Sequence, residues 1–333
     1  MNNPDPEKVS QHKKQEKKTP PIVEGEFQAV EQIGKEAPEQ MKKAYTAASK
    51  LLLTKMQKEA PEDYKILRSV SESDIVIVRG SYDHAETVFA LTEIPFTVID
   101  PTDVQDLQIR SDQILFINCP GSEILPEGVE LIHKFVKNGG YLITTDWALQ
   151  FILEEAFPGI AKYTGNPTLD DVVRIEILDP DNVFVQGLIT EKSEPVWWLE
   201  GSSFPIQILD KKKVKVLITS KELEKKYGEA PIAITFPYGY GRVFHMISHF
   251  YLQRTETRSE RQKLSSIEYA TEQGLKKEEA ETVSELQDLT VGEVESAFTS
   301  TKFMQNIILD KKKQEITKKE EKEEGKEEGK EKS

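Results

Sequence analysis

Four short apolar runs, separated by stretches of helical character, constrain this chain more than any other feature of its sequence. The runs cover residues 74–78, 95–100, 113–118 and 141–145, and β-branched side chains are frequent in them. Such runs are typical of buried strands. Parallel neighbours need a long crossover connection, and the intervening segments are long enough for a helix. The alternation predicts an α/β fold with a doubly wound, mostly parallel sheet.

Beyond residue 165 the pattern becomes richer in strands. Apolar runs cover residues 172–178, 205–209, 214–219, 231–236 and 242–247. We expect them to extend the sheet or to form a β-subregion at its edge. The sequence Tyr238-Gly239-Tyr240-Gly241 predicts a hairpin turn before the last run, because it lacks the lysine and the strand-loop-helix context of a phosphate loop.

Composition divides the chain into five segments. Residues 1–24 carry charges and prolines with little to bury, so we expect them to be disordered. Residues 25–73 form a helical extension, in which apolar side chains from Met41 to Met56 recur at helical spacing. Residues 74–254 form the α/β domain and residues 255–310 a helical segment. Residues 311–333, nearly all Lys and Glu, predict a charged, disordered tail.

Charge and cysteine content exclude several classes of protein. With 44 Lys+Arg against 58 Asp+Glu the net charge is −14, which disfavours nucleic acid or an anionic membrane surface as a partner. The single cysteine, Cys119, excludes an intramolecular disulfide and a cysteine-rich zinc site. We find neither a secretory signal nor a membrane-spanning run, so we expect a cytoplasmic protein.

The order of the motifs resembles a known family. Asn118-Cys119-Pro120-Gly121 is followed by a predicted helix and then by residues 138–146, Asn-Gly-Gly-Tyr-Leu-Ile-Thr-Thr-Asp. Tyr238-Gly239-Tyr240-Gly241-Arg242 and Ser248-His249 come much later. Together these motifs are similar to the class I glutamine amidotransferase-like superfamily, in particular its ThuA-like branch, over residues 74–252. The resemblance implies a flavodoxin-like sheet.

The chain departs from that family at the position that matters most for catalysis. In catalytic members a cysteine nucleophile occupies the sharp turn after this strand, and a histidine from a late strand activates it. Here the turn holds Asp146, flanked by Thr145 and Trp147. The resemblance implies that Asp146 and His249 lie at the same end of the sheet. A carboxylate hydrogen-bonded to an imidazole there could act as a general base on water. Alternatively, Asp146 caps the following helix or makes structural hydrogen bonds.

Other polar residues at the predicted strand ends are candidates for a ligand cleft. They are His84, Asn118, Pro120, Gly121, Thr145 and Trp147. We interpret Cys119 as a small residue that closes a buried strand, and His84 as a helix cap more readily than a ligand contact. His245 and His249 would chelate a metal on a helix, but their run is predicted as a strand. We therefore predict neither a metal site nor a cofactor.

The missing nucleophile favours a non-catalytic domain that binds a protein partner or a small ligand. Self-association through the helical extensions would fit their apolar stripes, which must pack on the domain or on another chain. The alternative is a hydrolase of unknown substrate that uses Asp146 and His249.

Overall fold

The computed structural model describes residues 39–281 and 283–331, so the predicted disordered segment 1–24 lies outside the described residues. The helices are α1 (Glu39–Glu59), α2 (Pro61–Arg68), α3 (Ala85–Leu91), α4 (Pro126–Lys137), α5 (Glu154–Ala156), α6 (Lys221–Tyr227), α7 (Ser266–Glu272), α8 (Lys277–Glu281) and α9 (Val291–Glu331). A π-helical turn, Leu149–Leu153, precedes α5, and 3-10 turns lie at Glu72–Asp74, Pro101–Asp106 and Ser284–Leu286.

The strands form one large sheet and two small ribbons. They are β1 (Ile75–Val78), β2 (Thr97–Ile99), β3 (Ile114–Ile117), β4 (Tyr141–Thr145), β5 (Ala161–Tyr163), β6 (Asp171–Arg174), β7 (Glu176–Ile177), β8 (Val196–Leu199), β9 (Ile206–Ile208), β10 (Lys215–Thr219), β11 (Pro231–Tyr238) and β12 (Gly241–Met246). The eight-stranded sheet has the order β2-β1-β3-β4-β12-β11-β10-β7. The first five strands in that order are parallel, and the last three add antiparallel pairings.

Crossover connections place helices on both faces of this sheet. The connection from β1 through α3 leads to one edge, whereas the connection from β3 through α4 leads in the opposite direction. Parallel crossovers are almost always right-handed, so α3 and α4 cover opposite faces. Strands β1, β3 and β4 are buried along their whole length, as expected for a sheet covered on both sides. The predicted α/β fold with a mostly parallel sheet is confirmed.

The strand-rich second half follows both alternatives predicted for it. The run 172–178 divides between β6, which pairs with β8 in a separate ribbon, and β7, which lies at the edge of the main sheet. Strand β9 pairs with β5 in the second ribbon. The predicted turn after β11 is confirmed, because Tyr238 pairs with Gly241 across an antiparallel hairpin.

The apolar stripe of the N-terminal extension is buried within the chain. Met41, Tyr45, Leu52 and Met56 on α1 are at most 5% exposed, and α1 packs against α9 and α3. The Tyr45 hydroxyl donates to the carbonyl of Phe250 and accepts from the Leu252 amide at 2.9 Å. Both extensions therefore share one core with the α/β domain, and their apolar faces are not exposed for a second chain.

The C-terminal segment differs from the predicted disordered tail, because α9 continues to Glu331. Lys311 explains where the prediction failed. Its side chain is buried, and its amine donates to the carbonyls of Ser111 and Gly139 at 2.7 and 2.8 Å. Ser111 lies just before β3 and Gly139 just after α4. Because Lys311 bonds to both segments, the charged part of α9 begins as a helix docked on the α/β domain. Composition alone does not reveal such partners.

Candidate functional site

A sharp turn after β4 positions Asp146. Its φ angle is +46°, in the left-handed region that a side-chain-bearing residue rarely adopts. The Asp146 amide donates to the carbonyl of Met246 at the end of β12, at 2.8 Å. This bond ties the turn to the neighbouring parallel strand. The main chain therefore forms a sharp elbow directly after β4, with Asp146 at its apex.

Both oxygens of the Asp146 carboxylate have protein partners. Oδ1 accepts from the backbone amide of Phe204 at 2.7 Å, and Oδ2 accepts from the Ser203 hydroxyl at 3.0 Å. The side chain does not cap the helix that follows, where no side-chain cap bond is made. The capping alternative is therefore wrong, and the alternative of structural hydrogen bonding is confirmed. The reason is the elbow itself, which directs the carboxylate toward the 200–204 loop.

His249 lies beside this carboxylate, whereas the sequence predicted only that both residues lie at the same end of the sheet. Its Nε2 is 3.5 Å from Asp146 Oδ2, and its Nδ1 is 3.3 Å from Glu200 Oε2. Burial by itself would lower the pKa of His249, but the nearby carboxylates of Asp83 and Asp146 outweigh it and hold that pKa well above its ordinary value. The His249 imidazole is thus protonated and forms ion pairs with the carboxylates around it.

Cys119 belongs to the same cluster. Its Sγ lies 3.9 Å from Asp146 Oδ2, and the ligating atoms of Cys119, Asp146 and His249 all lie within 4.8 Å of one another. Burial raises the pKa of the Cys119 thiol to about 11, so the group is a neutral thiol at physiological pH. The interpretation of Cys119 as a small residue closing a strand omits this contact with two ionisable side chains.

A second set of polar contacts joins the strand ends to each other. The Thr145 hydroxyl donates to Asp83 Oδ2 at 2.7 Å and accepts from the Cys119 amide at 3.1 Å. Asn118 accepts from the Ala85 amide at 3.2 Å and donates to Glu86 Oε2 at 2.7 Å. Asn118, rather than His84, therefore caps α3. Asn118 and Thr145 are buried and committed to these contacts, so neither faces a ligand cleft.

Close packing seals the cluster from solvent. Cys119 and His249 are each 1% exposed, and Asp146 is 2% exposed. The Trp147 indole stacks on Phe204 with ring centroids 5.1 Å apart and donates to the carbonyl of Ser202 at 2.7 Å. The side chains of His84 and Glu200 remain 31% and 32% exposed at the margin of the cluster. Asp146 and His249 meet, but they do not open onto a pocket.

A small cavity lies next to this cluster, where the ends of β1, β2 and β3 meet. It has a volume of about 150 Å³ and is lined by residues 79–81, 100–101 and 120–123. We call it the strand-end cavity. Two predicted cleft residues, Pro120 and Gly121, line it. Gly80 is required there, because a Cβ atom would lie 2.2 Å from the Cys119 carbonyl oxygen.

Sequence reasoning missed Glu200 and Ser203 altogether. Both belong to a loop that follows β8, a strand outside the main sheet. The available signal was the polar stretch Glu200-Gly201-Ser202-Ser203 after an apolar run, but nothing local links it to Asp146. The metal-chelating alternative for His245 is not supported, since the His245 ring bonds to Thr144 Oγ1 at 2.9 Å inside the sheet.

No protein-family model matches this chain, and no curated protein matches it. Several solved structures are similar to part of the chain. Cytoplasmic protein STM3548 from Salmonella typhimurium is 15% identical over 54% of this chain and 88% of that chain, with a TM-score of 0.39. The protein SMU.1228c is 14% identical over 68% of this chain and 97% of its own, with a TM-score of 0.38.

A larger protein is also similar in part. The GH42 β-galactosidase Gan42B is 16% identical over 52% of this chain, with a TM-score of 0.33. The chain spans only 27% of the length of that enzyme. Among the described residues, no helix combines the length and the apolar character that crossing a membrane would require.

Proposed function

We propose that this chain is a non-catalytic domain of the class I glutamine amidotransferase-like superfamily, similar to its ThuA-like branch, and that it acts by binding a small ligand. The observation that carries the proposal is the aspartate at the elbow after β4. A chain that used this elbow for thioester chemistry would need a thiolate at that position. Asp146 instead holds the 200–204 loop in place through both carboxylate oxygens.

The order of the parallel strands supports the flavodoxin-like part of the proposal. Counted along the chain, the parallel strands lie in the order β2-β1-β3-β4-β12. This is the 2-1-3-4-5 arrangement of a flavodoxin-like sheet, if β12 is taken as the fifth parallel strand. In such sheets ligands bind outside the carboxyl ends of the strands, where the direction of winding reverses. Here that place lies between β1 and β3.

The enclosure of Asp146 and His249 speaks against the hydrolase alternative. The 3.5 Å separation of Asp146 and His249 would suit a carboxylate–imidazole pair that acts as a general base. A general base must, however, also reach the proton that it removes. Side chains that are 1% and 2% exposed offer no room for a substrate or an attacking water. Cys119, as a buried neutral thiol, does not replace the missing nucleophile.

The strand-end cavity is the favoured place for the ligand. Its lining combines the Arg79 guanidinium with the hydroxyls of Ser81 and Ser122. Arg79 Nε is buried and makes no hydrogen bond, although it lies 3.2 Å from Asp100 Oδ1. A small polar ligand with an acceptor group would satisfy this donor. A partner held by the apolar stripes of the extensions is less favoured, because α1 and α9 bury those stripes against each other.

Two measurements on the full chain test the proposal. The first is hydrolysis of glutamine and of a panel of simple esters and amides by the wild-type chain, Asp146→Asn and His249→Ala. We expect no turnover above the buffer rate in any of them. Turnover by the wild-type chain that both substitutions abolish would establish the hydrolase alternative.

The second measurement is a thermal-shift screen with small polar metabolites. We expect a ligand that raises the melting temperature of the wild-type chain and of Arg110→Met, a surface control, but not of Arg79→Met. A screen without such a ligand, or stabilisation that survives Arg79→Met, would contradict binding in the strand-end cavity.

A further inference from the structure

The buried side chains of Cys119, Asp146 and His249 converge from three separate elements. Cys119 follows β3, Asp146 follows β4 and His249 follows β12. Each offers one ligating atom, and these atoms lie within 4.8 Å of one another. We propose that the three side chains form a closed binding site for a thiophilic divalent cation, with zinc as the best match. This inference goes beyond the proposed function.

The distances between the ligating atoms agree with a tetrahedral zinc site. Zinc bonds of roughly 2.0 Å to nitrogen or oxygen and 2.3 Å to sulfur place neighbouring ligand atoms about 3.3 to 3.6 Å apart. His249 Nε2 lies 3.5 Å from Asp146 Oδ2, and Cys119 Sγ lies 3.9 Å from the same oxygen. The His249–Asp146 distance fits this geometry directly, whereas the separations from Cys119 Sγ, which are at most 4.8 Å, shorten when the cluster closes around the ion.

His249 provides the independent observation that something is missing from the cluster. The ring is 1% exposed, yet neither of its nitrogens makes a hydrogen bond of good geometry. A buried polar group without a partner is costly, and metal coordination is one way to satisfy it. Nε2 lies 3.5 Å from Asp146 Oδ2, whereas Nδ1 lies 3.3 Å from Glu200 Oε2. Glu200 is thus placed to orient the ring, as carboxylates commonly do for metal-binding histidines.

The donor set favours zinc over harder cations. A sulfur and an imidazole nitrogen suit zinc, whereas magnesium and calcium prefer oxygen ligands throughout. Binding would release two protons to solvent, one from the Cys119 thiol and one from the His249 imidazolium, because the ligands are the thiolate and the neutral imidazole. The thiolate and the carboxylate then balance the two positive charges of the ion. Ser203, whose hydroxyl donates to Asp146 Oδ2 at 3.0 Å, lies beside these side chains and offers an oxygen as a fourth ligand.

Since the site is closed, we assign the ion a structural role that links the ends of β3, β4 and β12. Structural zinc sites are filled by protein ligands, whereas catalytic sites keep an open position. The proposal is therefore compatible with a chain that performs no hydrolysis. Failure of the metal-site proposal can be distinguished from failure of the proposed function, because metal content and turnover are separate measurements.

The experiment uses the full chain, freed of metal with a chelator and then dialysed with either Zn²⁺ or Co²⁺ followed by metal-free buffer. We expect elemental mass spectrometry to find one bound metal ion per chain. We also expect a thiolate-to-cobalt charge-transfer band in the near ultraviolet. Because Cys119 is the only cysteine of the chain, that band reports on this site alone.

Three variants make the outcome specific. Cys119→Ser should abolish the cobalt band, and His249→Gln should lower the bound metal to well below equimolar. His133→Gln, which alters a histidine outside the cluster, should keep both signals. A wild-type chain that retains no metal, or a cobalt band that survives Cys119→Ser, would overturn the proposal. The wild-type spectrum decides the matter even if a variant does not fold.

Discussion

The Asp146 carboxylate lies 3.5 Å from His249 Nε2, although the two residues are far apart in the sequence. Parallel pairing of β4 with β12 creates this proximity, because it brings the carboxyl ends of the two strands to the same edge. Both side chains are buried rather than exposed to solvent. Asp146 also accepts two hydrogen bonds from the 200–204 loop. We conclude that the carboxylate stabilises the fold at the turn after β4.

Replacing Asp146 by asparagine should therefore reduce stability. The amide keeps the shape of the side chain but leaves a buried imidazolium without its adjacent carboxylate. Removing one partner of a buried ion pair costs about 3–5 kcal/mol. Urea unfolding of Asp146→Asn would measure this loss, with Asp179→Asn as a half-exposed ion-pair control that we expect to lose less than about 1 kcal/mol. Equal stability of Asp146→Asn and the wild-type chain would contradict a structural role.

His245 should make the chain sensitive to mild acid. Burial lowers the pKa of His245 from 6.5 to about 3, so the folded state holds the ring neutral. Below pH 6.5 the unfolded state takes up a proton that the folded state does not. The free energy of unfolding should thus fall with decreasing pH between 6.5 and 3, by up to about 1.4 kcal/mol per pH unit from this residue.

Stability curves of His245→Gln and the wild-type chain against pH test this expectation. The variant cannot take up that proton in its unfolded state, so it should lose less stability per pH unit over the same range. Parallel curves for His245→Gln and the wild-type chain would show that His245 is protonated alike in both states.

One hydroxyl group adds two hydrogen bonds to the apolar docking of α1. Tyr45→Phe keeps the ring but removes the partner of the Leu252 amide and of the Phe250 carbonyl. Leaving a buried amide without a hydrogen bond costs about 1–3 kcal/mol. Chemical unfolding should show this loss for Tyr45→Phe and almost none for Tyr240→Phe, whose side chain is 86% exposed. If both variants unfold alike, the hydroxyl contributes nothing to docking.

The start of the charged segment should matter for stability in the same way. Lys311→Met removes the amine that bonds to the Ser111 and Gly139 carbonyls, which should cost about 2–3 kcal/mol. Lys319→Met lies on an exposed part of α9 and should change stability by less than about 0.5 kcal/mol. Comparable unfolding midpoints for the two variants would indicate that residue 311 is not docked in solution.

The sequence predicted the central sheet because its signals are local. Runs such as Ile75–Val78 and Tyr141–Thr145 are apolar along their whole length, and the segments between them suit crossover helices. The placement of Asp146 and His249 at the same end of the sheet was also predicted, but the contact between their side chains was not. This placement was predicted from the order of the motifs along the chain and not from any single motif.

Long-range contacts without a periodic pattern were not predictable. Glu200 and Ser203 reach Asp146 from a loop beyond the main sheet, and their approach depends on how the β6–β8 ribbon packs. The docked part of α9 escaped notice for a related reason. Lysine is a residue that composition assigns to solvent, whereas Lys311 is buried because two distant carbonyls accept its protons.

The most direct test of the central claim is the rate at which iodoacetamide alkylates Cys119 in the full chain, measured by intact mass in the presence of a chelator at neutral pH. A sealed, neutral thiol should stay unmodified in the native chain and become fully labelled once urea unfolds it. Rapid stoichiometric labelling of the native chain would contradict the account, because it would reveal an accessible, ionised cysteine beside His249 and an open site at the strand ends.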